Sequence, residues 1–455
     1  MEPLLYQGAS NHEALLKTQY LNAKLADLPA PAAIVDAATV KRNCKLMLDT
    51  ANALGVQFRA HIKTHKTVQG SKLQIGDHGP VRLVVSTVAE LEHIFAWLKE
   101  CVEAGREVNV LYGVPVSPSS LPRLARLGKE LGSASCISFM VDHPDTLELI
   151  MQRREMFYGI IPVFIKIDTG YGRAGVKPFS STLKAICTKL REQSTREVVE
   201  ILGLYSHLGH SYGFSTPIES LQGLFTEFET LKAVSENEFP GKQVTLSVGA
   251  TPTATAAQIL VDYAEIADVA KDSSDIRARW NVLKQSAQTL EIHAGVYPML
   301  DMQQLATQAR TVNLSYENIG LKILVEVASL YSERDKQEAL IAAGSLALGR
   351  EPCKAYPGWG IVSPWCSIAS HGSGEHYTFE APEGWIVGRI SQEHGILTWE
   401  GTTEKKRELK IGEKLLIWPN HACIAGAGFG WYFVVDSNVD GGETVQDVWV
   451  RCRGW

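Results

Sequence analysis

The 455-residue chain has no CxxC pair, no low-complexity tract and no excess of basic charge. Nor does any apolar run approach the roughly 18 residues that a membrane span needs. Each absence excludes something. A net charge of −6 leaves no basic field for nucleic acid or an anionic membrane surface, so neither is an expected partner. The eight cysteines stand singly at 44, 101, 136, 187, 353, 366, 423 and 452, too sparse for a disulfide scaffold. They read as buried thiols of a reducing compartment, which makes the cytosol the expected location. The first residues, MEPLLYQG, lack a basic stretch followed by an apolar core, so a secretory signal is not expected.

What is present is ordinary globular composition, 45% hydrophobic and 21% charged, over a length that supports two domains with real cores. Residues 1–30 read as a leading arm. Residues 32–36 (AAIVD) read as a short strand, and Thr39 as the cap of an amphipathic helix. From residue 57 a rhythm sets in. Apolar runs fall at 57–63, 81–86, 108–112, 137–141, 161–168, 201–206, 243–248 and 289–293. Helical stripes fill the gaps, such as Val88, Leu91, Phe95, Leu98 and Val102, or Ile218, Leu221, Leu224, Phe225 and Phe228. Eight βα alternations predict an α/β domain with a (β/α)8 TIM-like barrel over residues 31–305; an open doubly wound sheet fits the same count. The 254–288 segment is long for one crossover and predicts an insertion. After residue 305 the helical spacers stop. Strand-like runs at 321–331, 339–343, 385–390, 414–418, 431–435 and 445–450 predict a second, all-β domain over 306–455.

The stretch 57–66 (QFRAHIKTHK) puts Phe58, Ala60 and Ile62 on one face and Arg59, His61 and Lys63 on the other. The polar row ends in Lys63 at the C-terminal end of the first barrel strand, the rim where such barrels place their chemistry. An amine there can form an imine with a carbonyl cofactor such as pyridoxal phosphate. The competing reading is a solvated basic turn.

Later strand ends add candidates. Barrels often bind phosphate after strands 7 and 8, where glycine lets backbone N–H groups approach the oxygens. That makes Gly249, Ala250 and Thr251 one phosphate loop, with Gly295 and Tyr297 a second contact; either glycine alone is equally a plain turn residue. Lys166 and Asp168 share a face at the end of strand 5, as site residues or as a buried ion pair. His207, His210 and Tyr212 crowd the end of strand 6, where an aromatic can stack on or hydrogen-bond a pyridine ring. In the β domain, His421 and Cys423 stand two apart on extended backbone. Imidazole plus thiolate suits Zn²⁺, although two ligands are fewer than zinc sites usually recruit. A buried free thiol beside a surface histidine gives the same pattern.

Seven segments in order, 61–66 (HIKTHK), 168–175 (DTGYGRAG), 207–212 (HLGHSY), 249–253 (GATPT), 291–297 (EIHAGVY) with Asp301, 392–395 (QEHG) and 419–423 (PNHAC), cover nearly the whole chain. Together they resemble the fold-type III pyridoxal-phosphate enzymes, whose catalytic domain is an alanine-racemase-type barrel. Within that group the chain is similar to the eukaryotic, zinc-dependent D-serine dehydratases. The resemblance implies that Lys63 carries pyridoxal 5′-phosphate, with His61, Asp168, Arg173, His207, Tyr212, Gly249, Ala250, Thr251, Gly295 and Tyr297 around it. It implies that His421 and Cys423 hold zinc, that the substrate is a small D-amino acid, and that the protein is a homodimer with its site where barrel and β domain meet. It also implies that the 32–36 strand joins the β domain. D-threonine aldolases and 3-hydroxyaspartate dehydratases share the scaffold and are the nearest rivals. A non-catalytic pyridoxal-phosphate carrier is a rival of another class, but such carriers are essentially the barrel alone.

Overall fold

A computed structural model describes residues 9–261, 273–367 and 376–455. The first strand, β1 (Ala32–Asp36), lies in a sheet discussed below. The next eight are parallel and close into a barrel: β2 (Gln57–His61), β3 (Val81–Val85), β4 (Val108–Pro115), β5 (Ile137–Val141), β6 (Ile161–Lys166), β7 (Val199–Tyr205), β8 (Thr245–Val248) and β9 (Thr289–Ala294). β9 pairs back onto β2, with Arg59 opposite His293, so the open-sheet alternative is excluded. All eight expected runs are barrel strands.

The lower interior of the barrel is polar. The Arg59 Nε lies 2.7 Å from the Glu291 carboxylate, both buried, and Arg59 Nη1 donates to Asn109 Oδ1 at 2.8 Å. Asn109 in turn donates to the Ser138 hydroxyl at 2.6 Å. A charge pair taken out of water survives only when its remaining hydrogen-bonding capacity is met, and this chain of donors and acceptors does so.

Helices cover the barrel with the stripes that strand spacing demands. Helix Val88–Glu103 starts at Thr87, whose hydroxyl accepts from the Glu90 amide, and buries Val88, Leu91, Ile94, Leu98 and Cys101. Ile94 and Cys101 therefore take the inward places expected for Phe95 and Val102, which are half-buried. Helix Pro217–Glu238 buries Leu221, Leu224, Phe225, Phe228 and Leu231. Each such side chain stabilises the fold by about 1.5–3 kcal/mol. Helix Ala37–Leu54 begins before Thr39. Its cap is Asp36, which accepts from the Ala38 amide at 3.1 Å and from the Thr39 hydroxyl at 2.7 Å, because a carboxylate satisfies both first-turn donors. Of the expected 254–288 insertion, residues 262–272 lie outside the described residues; helix Ser273–Lys284 follows them.

The other sheet has nine strands: β1 with β10 (Leu321–Tyr331), β11 (Glu338–Ile341), β12 (Gly360–Cys366), β13 (Gly384–Ile390), β14 (Gly395–Glu400), β15 (Lys414–Pro419), β16 (Trp431–Val435) and β17 (Asp447–Val450). Their order is β11-β14-β13-β12-β15-β10-β1-β16-β17, and β11 also pairs with β10, so six strands close on themselves. All neighbours are antiparallel except β1 and β16. Two strands were not expected from the sequence. β12 contains Pro364, which cannot donate to the ladder, and its register with β15 shifts between Val362 and Cys366. β14 follows the polar residues 391–394, which read as a turn.

The chain divides into two compact units. One comprises the chain up to Asn43, Pro298–Ala306 and Asn313–Arg451; the other comprises Cys44–Tyr297, Thr307–Val312 and Cys452–Trp455. The observed boundary differs from residue 31 because β1 pairs with β10 and β16 rather than with any barrel strand, the placement of the 32–36 strand that the resemblance implies. No described helix is long and apolar enough to cross a membrane.

Candidate active site

Lys63 lies two residues beyond the end of β2. The turn that carries it is tied down at every other basic residue. The Lys66 amide donates to the Ile62 carbonyl at 2.9 Å, and the Lys66 ammonium lies 2.9 Å from the buried Glu90 carboxylate. Glu90 also accepts from the Ser86 amide at 2.7 Å. His65 is buried, accepts from the Thr67 amide through Nδ1 at 3.1 Å, and reaches Gln74 Oε1 through Nε2 at 2.8 Å. Thr67 then caps helix Val68–Ile75. The solvated-turn reading fails here, since a solvated turn has no use for a buried glutamate and a buried histidine. Lys63 itself is half-buried, and among the described residues no side chain pairs with its ammonium.

Three histidines converge above the Arg59–Glu291 layer. The His293 ring stacks on Tyr205, centroids 4.1 Å apart, and lies 6.1 Å from the His207 ring. On Tyr205 also sits the Lys166 ammonium, 4.7 Å from the ring centroid. Loss of hydration and the neighbouring Lys63 charge hold His61 and His207 well below the usual imidazole range, and burial with His207 and Lys166 does the same to His293. All three are neutral, so their tautomers follow from their partners. His207 Nδ1 meets the Gly249 carbonyl at 2.8 Å; a carbonyl only accepts, so Nδ1 carries the proton and Nε2 is a bare acceptor. His61 is the reverse: its Nδ1 accepts from the Lys63 amide at 3.4 Å, leaving the proton on Nε2, 3.4 Å from the Ser86 hydroxyl. His293 Nδ1 contacts the Ser247 hydroxyl at 3.1 Å, while its buried Nε2 has no hydrogen-bond partner.

Lys166 is buried, and burial, then the Arg173 charge, push its pKa down to about 8. It forms no ion pair with Asp168. That carboxylate instead accepts from the Gly170 and Gly172 amides, both at 3.0 Å, and so shapes the loop that carries Arg173. Arg173 is exposed and lies over the Tyr171 ring, 5.1 Å from its centroid. Tyr212 is half-buried in the short turn Gly209–Gly213, and His210 is exposed.

The two glycine loops approach closely. Gly249 has φ +138°, and a Cβ there would stand 2.3 Å from the His293 carbonyl oxygen. A Cβ on Gly295 would stand 3.3 Å from the His61 carbonyl oxygen. Strand-end packing thus requires glycine at 249 and leaves a tight fit at 295, and it brings the 249–251 loop beside His207 and His293. The Ala250 amide donates to the Thr253 hydroxyl at 2.9 Å, and the Thr251 hydroxyl accepts from the Val296 amide at 3.2 Å. Tyr297 is placed differently. Its buried ring packs edge-on against Phe58, centroids 5.5 Å apart, on the strand face opposite Arg59 and His61, with Cys44 beside its hydroxyl.

Two residues of this cluster were not singled out from the sequence. His293 shares the inward parity of Glu291, as His61 shares that of Arg59, and that parity was the available signal. Glu227 is a buried acid within the apolar stripe of helix Pro217–Glu238; burial pushes it up to about 7 against hydrogen bonds that pull it down.

In the other unit, the turn after β15 leads into helix Ala422–Ala427, capped by His421, so Cys423 is helical and the extended backbone expected for the pair is found at His421 alone. The buried Asp301 carboxylate accepts from the Ala422 amide at 2.8 Å and from the Gln304 amide at 2.9 Å. Asn420 donates to the Glu351 and Gly358 carbonyls, both at 2.9 Å, and accepts from the Tyr356 hydroxyl. On this fixed turn Cys423 is half-buried and within hydrogen-bonding reach of His421, whose Nδ1 is buried without a partner. Among the described residues no group of three or more His, Cys, Asp or Glu side chains is placed to hold a metal.

Comparison with known proteins agrees with this geometry. The family described as alanine racemase, N-terminal domain, matches residues 35–266, and a serine dehydratase domain family matches residues 320–435. The chain is 31% identical to a D-serine dehydratase of Schizosaccharomyces pombe over 97% of this chain and 95% of that one. It is 32% identical to a D-serine dehydratase of Saccharomyces cerevisiae, covering 96% and 99% respectively. Among solved structures, a cysteine-to-alanine variant of D-threo-3-hydroxyaspartate dehydratase, described as the metal-free form, superposes with a TM-score of 0.69 at 26% identity, covering 95% of this chain and all of that one. The chain belongs to the D-serine dehydratase family, whose enzymes are built on the alanine-racemase-type barrel.

Proposed function

We propose that this enzyme eliminates water from D-serine, giving pyruvate and ammonia, with pyridoxal 5′-phosphate held on Lys63 and zinc held by His421 and Cys423. The observation that carries the reading is the Lys63 amine: among the described residues it has no side-chain partner, in a turn whose other basic residues are engaged, and it lies near the neutral imidazoles of His61 and His207 and the Lys166 cation. The orphaned, buried Nε2 of His293 and the bare Nε2 of His207 fit a polar aromatic ring, and the nearby cations fit an anionic one. Residues 249–251 and Gly295 would lie at the phosphate, and His61, Arg173 and Tyr212 around the ring. Tyr297 would support β2 from behind. When bound, pyridoxal phosphate supplies an electron sink for the charge left at Cα. Lys63 Nζ would be the base placed to take the Cα proton.

His421 and Cys423 offer a nitrogen and a sulfur donor on a rigid turn, a set that suits zinc, with water or substrate completing the coordination. When bound, zinc supplies Lewis acidity that lets the β-hydroxyl depart as hydroxide. Loss of the α-proton and hydroxide leaves 2-aminoacrylate, which takes up water and releases ammonia. The metal-free description of the similar cysteine variant supports a metal in this enzyme. We further propose that the protein acts as a cytosolic homodimer, a reading supported by the family resemblance.

A second reading, dehydration of 3-hydroxyaspartate, is favoured by a D-threo-3-hydroxyaspartate dehydratase that is 29% identical over 95% of this chain. Incubation with a panel of D- and L-β-hydroxy amino acids, with and without chelator, separates the possibilities. Pyruvate from D-serine is expected; oxaloacetate alone, or glycine plus aldehyde from D-threonine, would replace the proposal with a rival.

A further inference from the structure

We propose that Glu227 is the positioning residue that locks together the loops after β7 and β8 and thereby decides which nitrogen of His207 is left to accept a hydrogen bond. The proposal rests on the reading of the barrel rim given above. Glu227 is fully buried on helix Pro217–Glu238, between Phe225 and Phe228 of its apolar stripe. One carboxylate oxygen accepts from the Ser206 hydroxyl at 2.8 Å, and the other faces the Thr253 hydroxyl at 3.4 Å. Thr253 Oγ1 in turn accepts from the Ala250 amide at 2.9 Å. Ser206 and Leu208 flank His207; Gly249 and Thr253 bound the candidate phosphate loop. The Ser206 hydroxyl is also 2.7 Å from that of Thr169, which extends the network to the loop after β6.

Gly249 is the link to His207. The peptide unit that joins it to Ala250 is held at both ends: the Ala250 amide donates to Thr253 Oγ1, whose hydroxyl faces Glu227, and the Gly249 carbonyl receives the proton on His207 Nδ1. A glycine at φ +138° has little intrinsic preference for that geometry. A fixed acceptor at the N–H of the same planar peptide unit therefore decides where the Gly249 carbonyl points. A buried carboxylate with no described ion-pair partner is costly unless several donors satisfy it. Here the donors are drawn from the loops that carry the candidate site, which a purely structural acid would not require.

The test compares wild type with Glu227→Gln in the full-length enzyme. A glutamine side chain keeps the volume but replaces one acceptor oxygen with a donor. Imidazole nitrogen-15 NMR, with the His207 signal assigned by a His207→Asn variant, is expected to show protonated Nδ1 in wild type and a mixture of tautomers in Glu227→Gln. Affinity of the stripped enzyme for pyridoxal phosphate should fall about tenfold, while affinity for pyridoxal, which lacks the phosphate, should change less than about twofold. An unchanged His207 signal, or equal loss for both aldehydes, overturns the proposal. Should Glu227→Gln fail to fold, Ser206→Ala removes one donor with little change in volume. It should shift the affinity ratio in the same direction, and an unchanged ratio overturns the proposal. A failure of Lys63 to hold the aldehyde would defeat the functional reading, yet the His207 signal would still report on Glu227.

Discussion

Lys66 and Glu90 form an ion pair of 2.9 Å in which the carboxylate is buried and the ammonium largely so. Glu90 is held by the Ser86 amide on its other side, so the pair fastens the turn after β2 to the turn after β3. This clamp leaves Lys63 as the accessible amine of the 61–66 motif, although three others of its six residues, His61, His65 and Lys66, are basic or imidazole side chains with the same local alternatives.

Glu90→Gln should loosen that clamp. Lys66 retains some solvent access, so the cost falls below that of an isolated buried charge, about 1–3 kcal/mol. Urea denaturation measures it. The imine absorbance expected at about 410–430 nm should persist at reduced cofactor affinity. A variant as stable as wild type would show that the turn is held by something other than this pair.

Lys63→Ala should abolish both that absorbance and turnover, whereas Lys166→Ala should leave the cofactor covalently attached. Borohydride reduction followed by peptide mass spectrometry locates the label. A pyridoxyl group found on Lys166 would move the chemistry from the end of β2 to the end of β6.

Cys423→Ala should lose zinc, measured by metal analysis of the purified protein, and lose at least about a hundredfold in dehydration, in line with the contribution of a Lewis-acid metal. Its imine absorbance should be intact, because the cofactor is attached elsewhere. Dehydration that survives in this variant after chelator treatment would remove the metal from the reaction.

Lys166 carries a pH signature. Burial, then the Arg173 charge, depress its pKa from 10.5 to about 8 in the folded state. Between those values the unfolded chain binds more protons than the folded one, so the Lys166 contribution to stability rises with pH across that window. Its slope is at most about 1.4 kcal/mol per pH unit. Denaturation of apoenzyme and of Lys166→Met at pH 8 and 10 isolates it. The difference between the two proteins should change with pH in that direction, and a constant difference would show that Lys166 is solvated.

Much of the barrel could be read from the chain because its signals are local. A parallel strand buried on both faces shows as an apolar run, and eight such runs with helical spacers admit few closures. The row Arg59, His61, Lys63 stood out for the same reason, since period-two alternation is a property of consecutive residues. The strands β12 and β14 escaped because a proline and a polar lead-in disguise them, and only their neighbours make them strands.

The placement of β1 beside β10 and β16 could not be derived from any stretch of sequence, because it joins segments roughly 290 and 400 residues apart. The same is true of what surrounds Lys63. Residue order alone determined the barrel, the β-rich second unit and the amine at a strand end, since each depends on spacing of a few residues. Tertiary structure decided that Asp168 shapes a loop, that Tyr297 lies behind β2, that His293 and Glu227 join the cluster, and which nitrogen of each histidine carries its proton. Those outcomes depend on burial and on partners brought from distant strands, and only the folded chain supplies both.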